Sequence, residues 1–142
     1  MIVNPEADLY WSQLENSDLI LLSIYIIVSI LPFVNAIREN TSIALAMILS
    51  LLLVMFVRYS FTILELNFNE IEFFSLYPYL ADDPSQIYRF VTSAWIHADW
   101  LHVLSNILVI GLVGVPLEQK LGSKRWLIIY ILGFIGGSLA WV

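Results

Sequence analysis

Residues 95–106 read WIHADWLHVLSN. His97 and His102, the 2 histidines of the chain, fall within these positions together with Asn106. Beyond Asp99 no formal charge appears until Glu118. A helical bilayer crossing takes about 17–25 residues, so this uncharged run is long enough for one. The stretch therefore sets two imidazoles and a carboxamide at the mouth of a spanning segment. Three readings are open: catalysis, a metal site, or polar groups that satisfy one another.

The rest of the chain supports a membrane setting. Of its 142 residues 60% are hydrophobic and 13% are charged, against roughly 25% charged in soluble domains. A soluble domain of this length could not hide so much apolar surface. Four apolar segments stand out, at 19–34, 43–57, 100–117 and 126–142. The second is short, but Thr41, Ser42, Tyr59 and Ser60 can extend it. Pro32 falls near the end of the first, where a helix tolerates a kink or a stop. The expected fold is an all-α membrane protein with four transmembrane helices.

The organisation follows from these spans. Residues 1–18 form an acidic N-terminal segment with Glu6, Asp8, Glu15 and Asp18, unlike the basic start of a cleaved signal. Residues 19–57 read as a two-span hairpin, turned by NAIRENTS at 35–42. Residues 58–98 are rich in Phe and Tyr, and read either as an interfacial loop with short amphipathic helices or as a small extramembrane loop. Residues 99–142 hold the core helices. The last span ends in GGSLAWV without a polar flank, which is expected of a chain that continues. The other reading is an outer-interface terminus anchored by Trp141.

Charge orients the hairpins. Loops 35–42 and 118–125 hold Arg38, Lys120, Lys124 and Arg125, four of the 6 basic residues. Ten of the 12 acids fall on the other side. Lys and Arg in short loops favour the cytoplasm, so the N-terminus is expected outside and those loops cytoplasmic. A net charge of −6 argues against nucleic acid as a partner. With no cysteine, thiolate metal sites, disulfides and a cysteine nucleophile are excluded. Nothing in the chain calls for a cofactor.

Asp99 suits the N-cap of a helix beginning near Trp100. His102 and Asn106 then share one face, about 6 Å apart along the axis, with Ser105 close by. His97 precedes the helix and can reach back toward the loop. A buried Asn needs partners. Asn106 reads as interhelical glue or as a donor aimed at a developing oxyanion. A zinc site on His97, Asp99 and His102 is disfavoured, because the spacing is not H-E-x-x-H and no third His exists. Gly111 and Gly114 are three apart, as are Gly133 and Gly136, with Gly137 adjacent. The second group is expected to mark a packed helix face.

Taken in order, Arg89-x-x-Thr92, His97-x-x-x-x-His102-x-x-x-Asn106, Gly114-x-x-x-Glu118-x-x-x-Gly122 and YILGFIGG at 130–137 resemble the rhomboid intramembrane serine proteases. The resemblance covers the last third of the chain clearly, and by position a rhomboid-like domain from about 43 to 142. It implies hydrolysis of peptide bonds in membrane-protein substrates at the bilayer. It implies that His102 and Asn106 help form the oxyanion hole, while His97, Arg89, Glu118 and Gly122 are structural. The first span becomes an extra N-terminal helix or a variation on the core. The family's G-x-S-G serine motif is absent, and GGSLA at 136–140 makes Ser138 a packing residue. Both histidines are already assigned, so the dyad base is absent too. A serine nucleophile needs such a base, so these 142 residues alone are expected to be inactive. The alternatives are a non-catalytic rhomboid-like protein that binds membrane clients and an unrelated membrane scaffold or transporter subunit.

Overall fold

The computed structural model describes residues 15–66, 68, 70–77 and 84–141. The acidic segment before residue 15, residues 78–83 of the aromatic loop, the Trp141 side chain and Val142 lie outside the described residues. All regular structure among them is helical.

Helix α1 spans Asn16–Arg38 and α2 spans Ile43–Ile63. Both run beyond their apolar cores. At the start of α1, Glu15 and Asp18 form a reciprocal capping box, which satisfies backbone donors that a helix start leaves free. Pro32 does not stop α1; the helix passes through it and continues to Arg38. The two helices pack antiparallel across a tight turn in which Asn40 takes a positive φ of 51°. Ser42 caps α2, accepting from the Leu45 amide at 3.1 Å.

The connection to the next span is built from short elements. Helix α3 is Glu70–Phe74, and α4 is Arg89–Thr92, running directly into a 3₁₀ turn at Ser93–Trp95. Short helices belonged to one of the two readings of this loop. They are held from two sides. Phe61, Phe68, Phe73 and Phe74 bury against Leu22 and Tyr25 of α1, with the Tyr25 and Phe74 rings stacked at 5.1 Å. Below them the Trp95 indole donates to Ser50 Oγ at 2.7 Å, and Ser50 donates to the Ser29 carbonyl at 2.6 Å. This thread satisfies a fully buried hydroxyl, which would otherwise cost about 1–3 kcal/mol.

Helix α5, Trp100–Val109, continues through a π turn at Ile110–Gly114 into α6, Val115–Leu121. Pro116 lies in the first turn of α6. A proline has no amide to donate to the preceding turn and crowds it, and a π turn opens the spacing there. Gly122 ends α6 at φ +84°, donating its amide to the Glu118 carbonyl at 2.7 Å. That backbone region is open to glycine and strained for residues with a Cβ. Helix α7, Ser123–Trp141, follows.

Among the described residues three helices are long and apolar enough to cross a membrane: Asn16–Arg38, Ile43–Ile63 and the continuous Trp100–Leu121. The expected count of four is thus supported for three. Helix α7 opens with Lys124 and Arg125 and carries Gly133, Gly136, Gly137 and Ser138, which lowers its apolar character. One polar contact fixes the relation between the two turns. Glu118 of α6 accepts from the Ser42 hydroxyl, from Ile43 N at 2.8 Å and from Ala44 N at 2.9 Å. The α1–α2 turn and the α6–α7 turn therefore lie at one end of the bundle, and the aromatic loop lies at the other.

Candidate oxyanion site

The site begins with a cap. Asp99 is extended, with φ −154°, and its Oδ1 accepts from the His102 amide at 2.8 Å. The cap starts α5 at Trp100, whose ring meets Phe56 of α2 edge-on at 5.3 Å. His102 and Asn106 then sit one turn apart on α5. Ser105 does not join them, since its hydroxyl donates to the Leu101 carbonyl at 2.7 Å.

His97 lies outside the helices yet is 5% exposed. Its Nδ1 stands 3.3 Å from the Trp95 carbonyl, and its Nε2 stands 2.8 Å from Asn106 Nδ2. The carbonyl can only accept, so Nδ1 carries the proton. Nε2 then offers a lone pair, and the Asn106 amide donates to it. A carboxamide has two N–H donors, so one stays free for another acceptor. The His97 and His102 rings meet at 4.9 Å with 68° between planes. The His102 ring is exposed and makes no hydrogen bond among the described residues.

Burial holds the His97 imidazole below its ordinary pKa, and the nearby His102 and Arg58 add to that effect, while the Trp95 carbonyl opposes it. His97 is therefore neutral at neutral pH, as acceptance from Asn106 requires. The folded state refuses a proton that the unfolded chain takes up, so stability is lost as pH falls below the unfolded value of about 6.5. Thermal unfolding in detergent is expected to show that acid limb, and His97→Gln to flatten it.

The sequence placed His102 and Asn106 together, and the structure brings His97 to them. The direct partner of Asn106 is His97, not His102. No group of three His, Asp or Glu side chains suited to a metal ion comes together among the described residues; Asp99 is occupied as a cap. Arg89 is buried, donating from Nε to Gln86 Oε1 at 2.7 Å and from Nη1 to the Ser75 carbonyl at 2.8 Å. Thr92 donates to the Phe74 carbonyl at 3.1 Å. Both tie α4 back to the end of α3.

The glycines divide into two groups. A Cβ at Gly133, Gly136 or Gly137 would meet nothing within 4 Å, whereas one at Gly114 would come within 3.2 Å of Trp126 Nε1. The close approach is thus between the π turn and the start of α7, and the later glycines face open space among the described residues. Three-residue spacing marks a face without saying what covers it. Sequence reasoning also missed Arg58. Its Nε meets Glu70 Oε1 at 2.6 Å, and Nη1 donates to the His97 carbonyl. The one available signal was a cation at the mouth of an otherwise apolar span.

Residues 84–142 match the Rhomboid domain family. Among curated proteins the chain is 39% identical over 54 residues to RHOMBOID-like protein 1 of Arabidopsis thaliana, covering 38% of this chain and 14% of that protein. It is 39% identical over 54 residues to Inactive RHOMBOID-like protein 8 of the same plant, covering 38% and 15%. It is 37% identical over 54 residues to Rhomboid-like protease 3 of Toxoplasma gondii, covering 38% and 20%. The chain thus spans a fifth or less of each relative's length. No solved structure matches it.

Proposed function

We propose that this chain, whose residues 84–142 match the Rhomboid domain family, forms the N-terminal part of an intramembrane serine endopeptidase acting on membrane-protein substrates. His102 and Asn106 are its oxyanion donors, and the nucleophile and base come from sequence beyond these residues. The observation that carries the reading is Asn106 donating to a neutral His97 at 2.8 Å while keeping a second N–H, one turn from an unbonded His102 ring. A donor held in place beforehand, as Asn106 is by His97, stabilises a developing oxyanion without reorganising as the reaction proceeds. His97, Arg89, Glu118 and Gly122 set the geometry around them.

A second reading has specific support. Inactive RHOMBOID-like protein 8 matches with 39% identity, close to the 37% of the protease relative. A client-binding rhomboid-like protein without a dyad is therefore the runner-up, while the family match argues against the unrelated scaffold. Cleavage of a transmembrane peptide in proteoliposomes separates the two. The 142-residue chain is expected to release no product, and the chain extended through a G-x-S-G helix and a later histidine to release it. An extended chain that has both residues and stays silent would sink the protease reading.

The proposed topology places the Glu118 end in the cytoplasm, the N-terminus outside, and α7 as a fourth crossing. Gly133, Gly136 and Gly137 then offer a face to a further helix, while Tyr130 and Phe134 of the same helix line an apolar groove of about 760 Å³ against α1 and Trp95. The absence of cysteine makes this simple to check. A single cysteine at Gln119 is expected to react with an impermeant maleimide from the cytoplasmic side, and one at Ile87 from the outer side. The reverse pattern would invert the topology.

A further inference from the structure

Arg58 lies toward the outer end of α2, away from the helix start that Glu118 caps. Its guanidinium reaches two partners in different elements. Nε pairs with Glu70 Oε1 of α3 at 2.6 Å, and Nη1 donates to the main-chain carbonyl of His97. Glu70 is 7% exposed and His97 5%, so this is not a solvated surface pair.

The His97 main chain lies between the 3₁₀ turn at Ser93–Trp95 and the Asp99 cap, outside the helices. No helix ladder fixes its height, and the Arg58 donor grips its carbonyl. The ring of the same residue is held through Nδ1 by the Trp95 carbonyl, and through Nε2 it receives Asn106. Moving the His97 backbone moves the acceptor that aims the Asn106 amide. From these contacts we infer that Arg58 is a positioning residue for the Asn106 carboxamide, acting through the His97 backbone and tied to α3 by Glu70. A guanidinium serves both partners because its fork presents several donors in fixed directions, whereas a lysine offers one nitrogen.

The contact also joins the aromatic loop to the site. Phe73 and Phe74 of α3 pack with Tyr25 of α1, and Glu70 starts the same short helix. A shift of α3 therefore reaches Asn106 through four groups: the Glu70 carboxylate, the Arg58 guanidinium, the His97 carbonyl and the His97 ring. The oxyanion role of Asn106 rests on the function proposed above. The aim of its side chain does not.

The test uses the full chain in detergent micelles, with ¹⁵N in the His and Asn side chains. Arg58→Gln combined with Glu70→Gln removes the pair without leaving a buried carboxylate unpartnered. Arg58→Lys keeps the charge without the fork. Wild type is expected to show His97 protonated at Nδ1, with Asn106 NH₂ resonances shifted by acceptance at Nε2. Both variants are expected to lose that Asn106 shift and to mix the His97 tautomers, the double variant more strongly. Should the double variant fail to fold, Arg58→Lys reads the same resonances. In the full-length protein kcat is expected to fall about 10-fold to 100-fold with KM unchanged, as for a reacting group misplaced by about an ångström. A variant that melts earlier but keeps the His97 and Asn106 resonances of wild type would overturn the inference, since a purely structural role does just that. If the resonances respond while Asn106→Ala leaves turnover intact, the positioning role stands and the oxyanion reading fails.

Discussion

Replacing Asn106 with alanine in the full-length protein is expected to lower kcat by about 100-fold to 1,000-fold, the usual loss for one oxyanion-hole donor. The comparison with His102→Ala makes the result decisive. Asn106 is bonded to a buried acceptor, His97 Nε2. Its removal leaves that nitrogen without a partner, at about 1–3 kcal/mol. His102 is exposed and its ring bonds nothing among the described residues. Its alanine variant is therefore expected to lose turnover at an almost unchanged melting temperature, while Asn106→Ala loses both. Steady-state cleavage and thermal unfolding on the same preparations give the two readouts. If both variants keep full turnover, neither residue is a donor, and the pair serves only helix packing.

Glu118→Ala is expected to destabilise the bundle strongly. The carboxylate accepts from Ser42, Ile43 and Ala44 at the start of α2 and is 5% exposed. The first amides of a helix have no partner within it, and a negative charge there is favoured by the helix dipole. Losing charge-assisted bonds at such a start costs about 3 kcal/mol. Glu118→Gln keeps one acceptor oxygen and is expected to lose about half as much by the same reasoning. Unfolding by graded denaturing detergent measures both. An alanine variant as resistant as wild type would show that other contacts already hold α2 to α6.

Much of this architecture was legible before any coordinates. Uncharged runs located Asn16–Arg38, Ile43–Ile63 and Trp100–Leu121, because the bilayer imposes its thickness on helix length. Asp99 announced the start of α5, because capping is decided within a few residues. What stayed hidden depends on contacts distant in sequence. His97 meets Asn106 across a backbone held by Arg58, 39 residues earlier, and no periodicity encodes such a meeting. Glu118 was singled out, but its partners lie 74 to 76 residues away. The glycines of α7 are the converse case: their spacing is visible in the sequence, while a Cβ at Gly133, Gly136 or Gly137 would meet nothing within 4 Å among the described residues.

The π turn at Ile110–Gly114 has a consequence for rotational phase. Asn106 and Glu118 both look toward α2 and the segment packed on it, one at each end of the same helix. At 3.6 residues per turn, twelve residues of unbroken α-helix would leave them about 120° out of phase. The π turn absorbs the equivalent of one surplus residue, which brings them to within about 20° of each other. Deleting one residue between Ile110 and Gly114 would therefore remove the surplus residue and keep both side chains aimed as they are. Closing the wide turn without a deletion would swing one end away by about 100°. For this helix, shortening is the gentler change, and a substitution that straightens it the harsher one.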